Sequence, residues 1–139
     1  MNKYFVDTDV IIDLLANRQP YFHFSAVLFT LAEMNKFELF TTPTVIENTF
    51  YLLRKQLGNE AAKNALRKLR LIIHVIDSSE KVIDQALNSS FSDFEDAVQY
   101  YTALNSNISA ILTRNIKDYK NSNLLVQTPE IFLVSNGLI

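Results

Sequence analysis

Short apolar runs alternate with helix-forming stretches along the whole chain, and this alternation limits the fold more than any other feature of the sequence. YFVD (4–7), ELFTT (38–42), LIIHVI (71–76), AILT (110–113) and LLVQT (124–128) read as strands, being brief, apolar or β-branched, and bounded by polar residues or proline. The intervening segments read as helices over 10–18, 21–37, 44–57, 59–70, 80–90, about 92–105 and 129–137. In the first, Val10, Ile11, Leu14 and Leu15 share a face, and Thr8 or Asp9 is the expected cap. Ser78 or Ser79 caps the fifth, and Pro129 opens the last. Strands separated by helices need crossover connections, which predicts an α/β fold with a mainly parallel sheet of about five strands and helices on both faces. No repeat, linker or low-complexity segment interrupts the 139 residues, so a single domain over 1–139 is expected.

Composition then removes several chemistries. The chain has no cysteine and two histidines, so disulfides, thiolate metal sites and multi-histidine zinc centres are excluded or poorly supplied. Neither of the two glycines follows a strand, so there is no glycine-rich phosphate loop or dinucleotide fingerprint. Fifteen Asp and Glu remain, and carboxylate chemistry is the natural alternative. A net charge of −2 gives no global attraction to nucleic acid, so a polyanion would need a local basic patch or bound cations. No signal peptide or membrane-length apolar span is visible, and a cytoplasmic location without membrane contact is expected.

The acids fall where such a sheet gathers ligands, at the carboxyl ends of its strands. Asp7 ends the first strand, and Asn115 and Asp118 follow the fourth. Asp93, Glu95 and Asp96 crowd the start of the helix that leads into the fourth strand. Helix starts favour negative charge, but one or two acids would serve for that. Asp93 and Asp96, three residues apart, are expected about 60° apart on one face. Like charges held together need a compensating cation, and Mg2+ or Mn2+ suits oxygen ligands.

Three stretches together resemble the PIN domain family. YFVDTDVIIDLL is similar to its N-terminal motif, DFEDAVQYYTAL to its central motif and ILTRNIKDY to its late motif, in matching order and spacing. The resemblance implies a three-layer α/β/α sandwich and a divalent-metal-dependent ribonuclease, like the toxins of VapBC-type toxin–antitoxin pairs. It matches Asp7 to the family's first metal-binding acid and Asp96 to its third. Asp93 matches a subgroup in which DFEDA recurs. The second acid is usually a Glu opening the helix after the second strand. Here Glu47 is on offer, whereas alignment on NTFYLL puts Asn48 at that position. The fourth position, often Asp, is Asn115, with Asp118 as a further source of charge.

These expectations assign hydrolysis of RNA to Asp7, Asp96 and Asp93, with Asp7, Asp96, Asp93 and Asp118 around Mg2+ or Mn2+. Thr113 and Asn115 are expected to position water or phosphate, and Glu47 or Asn48 to support the site from the second acid position. Arg114 and Lys117 are the expected RNA contacts, whereas the basic run at 63–70 reads as a solvated helix face. Tyr21, Phe22, Phe24 and Phe29 exceed one helix stripe, which points to a homodimer surface or a groove for an antitoxin. The competing reading is a catalytically weak or inactive PIN-like module that binds RNA or protein, favoured by the neutral Asn48 and Asn115.

Overall fold

The computed structural model describes residues 1–139. The elements run β1 (Lys3–Val6), α1 (Thr8–Leu15), α2 (Phe22–Glu33), β2 (Glu38–Thr41), α3 (Pro43–Leu57), α4 (Asn59–Leu69), β3 (Ile73–Val75), α5 (Glu80–Leu87), α6 (Phe94–Leu104), β4 (Ala110–Leu112), β5 (Leu125–Gln127) and α7 (Pro129–Ser135). A 3-10 turn, Ile116–Tyr119, lies between β4 and β5, where the sequence reading expected no element.

All five strands are parallel, in the order β3-β2-β1-β4-β5. The chain therefore steps outward from β1 to β2 and β3, then returns to the other side of β1 for β4 and β5. Right-handed crossovers in opposite directions put their helices on opposite faces, which yields the three-layer α/β/α arrangement. α1 packs on α2 and α3, α3 on α4 and α2 on α7, while α5 and α6 pack together. The reversal of direction also opens a crevice at the carboxyl ends of β1 and β4. Register fixes what meets there. Val6 pairs with Leu112, so the next residues, Asp7 and Thr113, sit side by side.

Phe5, Val6, Leu39, Ile111 and Leu112 are wholly buried and anchor the core between the layers. Tyr4, Phe37 and Phe132 close its lower end with edge-to-face contacts at 4.6–5.6 Å. Helix starts follow their side chains: the hydroxyls of Thr42, Ser79 and Thr128 accept the free N–H groups of α3, α5 and α7. At α1 the cap is Asp7, one residue before the candidates read from sequence, because the strand ends at Val6 and Thr8 is already helical. The third strand is shorter than its apolar run, since residues 70–72 complete the exit from α4 and leave Leu71 exposed. The aromatic excess on α2 is partly absorbed: Phe29 is buried, Phe22 and Phe24 are half-buried, and only Tyr21 is exposed. No helix is long and apolar enough to cross a membrane.

Candidate active site

The crevice is an open cleft of about 520 Å3 that brings together six carboxylates (Asp7, Asp9, Asp93, Glu95, Asp96 and Asp118) and a single guanidinium, that of Arg18. Asp7 is the most constrained. It is buried between β1 and α1, and its Oδ1 accepts the Thr8 N–H at 2.7 Å. Its Oδ2 accepts the Thr113 hydroxyl at 3.0 Å and the Tyr119 hydroxyl at 3.2 Å. Burial raises the pKa of this carboxyl, while the three donated hydrogen bonds pull it back down.

Asp96 reaches the same place from α6. Its Oδ1 lies 3.4 Å from the Tyr119 hydroxyl, so the two aspartate oxygens are at most 6.6 Å apart, the sum of 3.2 and 3.4 Å. The half-buried Asp96 has its pKa pushed up to about 7, first by burial and then by repulsion from Asp7, Asp93, Asp118 and Glu95. Asp9, also desolvated and repelled by Asp7, is raised to about 6. At pH 7 a carboxyl raised to about 7 is about half-protonated and one raised to about 6 about a tenth, which reduces their mutual repulsion in the absence of a cation.

Tyr119 links the cluster. It is buried on the 3-10 turn, and its hydroxyl also lies 2.9 Å from Gln99 Oε1. Burial and the surrounding carboxylates drive the phenol pKa upward, so it stays a donor. One proton cannot serve three acceptors at once, so the hydroxyl donates to one of them at a time. Gln99 in turn donates to Glu95 Oε1 at 3.1 Å, and the Asn48 amide donates to the same oxygen at 3.0 Å. This settles the choice between Glu47 and Asn48: Asn48 faces the cleft, and Glu47 is exposed outside it.

Other expected residues sit differently from their sequence reading. Asp93 is the N-cap of α6, not a residue of its first turn, and its Oδ1 accepts the Asp96 N–H at 2.9 Å. Asp118 is exposed at the rim. Thr113 has no exposed surface, so it holds Asp7 and cannot touch water or phosphate as expected. Asn115 lines the cleft, its N–H donating to Thr113 Oγ1 at 3.1 Å. Arg114 is not a free phosphate contact. Its Nε and Nη2 grip the buried Asp13 at 2.6 and 3.1 Å, and its guanidinium covers the Tyr21 ring at 3.8 Å. Lys117 is exposed on the turn but does not line the cleft.

Sequence reasoning missed Tyr119, Gln99, Asp13 and Arg18. Asp13, set inside VIIDLL, carried a usable signal: an acid in so apolar a helix needs a buried partner. Nothing local in the sequence marks Gln99, which acts through residues brought close only by the fold.

The donor set fits a hard cation. Apart from the Arg18 guanidinium, every polar group lining the cleft is an oxygen or an amide, and Thr8 Oγ1 and Asp9 Oδ1 are buried without a hydrogen-bond partner. No three carboxylates converge closely enough to enclose an ion by themselves. An ion shared by Asp7 and Asp96 would therefore keep several waters, as Mg2+ commonly does.

Comparison with known proteins finds relatives of this fold. A family profile described as PIN domain matches residues 3–117. Ribonuclease VapC1 of Aquifex aeolicus is 27% identical over 135 residues, covering 94% of this chain and 92% of its own. Among solved structures, VapBC2 from Rickettsia felis bound to a promoter DNA fragment superimposes with a TM-score of 0.67 at 18% identity, covering 91% of this chain and 98% of that one. Mycobacterium tuberculosis VapC20, described as a sarcin–ricin loop cleaving toxin, gives 0.60 at 20% identity, covering 78% and 86%.

Proposed function

This chain belongs to the PIN domain family, and from that premise we propose that it is a divalent-cation-dependent ribonuclease acting as the toxin of a toxin–antitoxin pair. The observation that carries the reading is the approach of Asp7 and Asp96 across one tyrosine hydroxyl. Support also comes from the relative named ribonuclease VapC1 and the structural neighbour described as a sarcin–ricin loop cleaving toxin.

In this proposal Asp7 and Asp96 hold Mg2+ or Mn2+, with Asp93 and Asp118 acting through water. When bound, the cation supplies a water of lowered pKa and neutralises charge on the phosphate. The chain's own residues prepare the site. Thr113 and the Thr8 N–H fix both oxygens of Asp7, so no reorganisation of that carboxylate is needed during the reaction. Asn48 and Gln99 hold Glu95 in the cleft as a further negative charge. Asp96, raised to about 7, is only partly ionised near neutrality in the ion-free cleft, and a cation bound there would favour its ionised form. The exposed Lys117 remains the contact proposed for RNA, and Asn115 in the cleft the group proposed to position water or phosphate. The whole of residues 1–139 acts as one domain, with an antitoxin and a second copy of the chain as proposed partners.

The test is cleavage of single-stranded and structured RNA with Mn2+ and with EDTA. Cleavage dependent on the cation, and absent from Asp7→Ala and Asp96→Ala, is the expected result. RNA left intact by the wild-type chain at every cation concentration would point instead to a binding module.

A further inference from the structure

A second cavity, of about 200 Å3, lies between the starts of α2 and α7. Arg114 joins it to the acidic cleft. The side chain lines the cavity, whereas the main-chain N–H donates to Asp9 Oδ2 of the cleft at 2.9 Å. Pockets that enclose a whole small molecule usually hold roughly 300–1,000 Å3, so this one suits a single ring system. Tyr21, Phe24 and Pro129 give it flat apolar walls, and the Tyr21 ring is 40% exposed.

Its polar groups are one donor and one acceptor left without partners. Asp13 takes Nε and Nη2 of Arg114, so Nη1 and the second Nη2 proton have no acceptor within the chain. The guanidinium cannot swing away, because it is held by the buried Asp13 and lies 3.8 Å from the Tyr21 ring. Glu130, which lines the same cavity, belongs to neither of the chain's two ion pairs, His74–Glu38 and Arg114–Asp13. Asp13 neutralises Arg114, and the charge left over is that of Glu130. A phosphate or carboxylate is therefore a poor occupant. A flat ligand that gives two N–H groups to a carboxylate and two acceptors to a guanidinium is a good one.

We infer that this cavity binds a guanine base, with Arg114 donating to O6 and N7, Glu130 accepting from N1–H and the N2 amino group, and Tyr21 stacking on the ring. Guanine alone among the common bases carries both paired sets. Its O6 and N7 are the usual partners of an arginine fork, and its opposite edge offers two parallel donors. Adenine, cytosine and uracil each offer a carboxylate one donor group. The base could belong to a free guanine nucleotide or to RNA with that base turned out of its stack. The site is separate from the acids, and its occupancy is read without cleavage, so the inference does not rest on the ribonuclease reading.

The test is calorimetric titration of the full chain with nucleosides, in EDTA so that no strand is cut. Guanosine should bind about tenfold more tightly than adenosine or than inosine, which lacks the N2 amino group. 7-Deazaguanosine, which lacks the N7 acceptor, should also bind more weakly, and it probes Arg114 without a substitution that strands Asp13. Glu130→Gln, an exposed position, should fold as the wild type does, bind guanosine about tenfold more weakly and lose the preference over inosine. Tyr21→Ala should weaken guanosine and adenosine alike. Competition then separates the sources. Displacement of guanosine by the RNA pentamer AAGAA assigns the base to RNA, and displacement by guanosine 5′-monophosphate alone assigns it to a free nucleotide. No guanosine binding at millimolar concentration, adenosine binding as tightly as guanosine, or an undiminished preference for guanosine over inosine in Glu130→Gln each overturns the inference. None of these results bears on whether Asp7 and Asp96 support RNA cleavage.

Discussion

Asn48 and Glu95 are 47 residues apart in sequence and 3.0 Å apart in the cleft, the amide of one donating to the carboxylate of the other. The helix position expected to bring a charge brings an amide instead, and that amide holds a carboxylate from α6. The negative charge on this wall thus comes from Glu95.

Glu95→Gln should therefore weaken Mn2+ binding about tenfold, the usual scale for groups that support a metal site without enclosing it. Glu47→Ala, outside the cleft, should change nothing. Calorimetric titration of both variants checks the pair.

Tyr119→Phe keeps the buried ring and removes the hydroxyl that three acceptors share. Gln99 Oε1 then loses its donor, and Asp7 and Asp96 face one another without a bridge. The ion-free protein should lose about 1–3 kcal/mol in denaturant melts, the scale for a buried polar group left unsatisfied. Saturating Mn2+ should recover much of that loss by drawing the two carboxylates together.

Acid titration offers a separate check. Asp96 is shifted from 3.8 to about 7 and Asp9 from 3.8 to about 6, so the folded chain binds more protons than the unfolded chain between those values. Stability from these groups is fully present below about pH 4 and is lost as the pH rises to about 7. Thermal melts without metal should show that decline, and Asp96→Asn should flatten it. Divalent cations compete with the same protons, so Mn2+ should stabilise the protein more at pH 8 than at pH 5.

Arg114 is a structural cation here. Arg114→Ala would strand the carboxylate of Asp13, which is 1% exposed, and breaking such a pair costs about 3–5 kcal/mol. The guanidinium is itself a quarter exposed, so the lower end of that range is expected in a urea melt. No change in stability would return Arg114 to the pool of RNA contacts.

Much of this was legible in the sequence. Period and punctuation identify all five strands and seven helices, because short buried strands and capped helices carry local signals. That Asp7 and the acids at 93–96 share one edge follows from position, at a strand end and a helix start that a parallel sheet brings together, and the resemblance to the PIN family singles out Asp96. What could not be read is pairing between distant segments. Nothing in TRNIKDY tells that Arg114 turns back to Asp13, or that Tyr119 turns in to the acids, since both depend on how the 3-10 turn packs against α1 and α6. The choice between Glu47 and Asn48 is likewise a matter of helix rotation, about 100° per residue, which only packing fixes.

The central claim is that Asp7 and Asp96 share one divalent cation. Mn2+ binding by calorimetry, with electron paramagnetic resonance to count bound ions, tests it most directly in the wild type, Asp7→Asn and Asp96→Asn. One ion per chain in the wild type, lost or weakened at least tenfold in each variant while both remain folded, is the predicted result. Equal Mn2+ binding in all three proteins would contradict it.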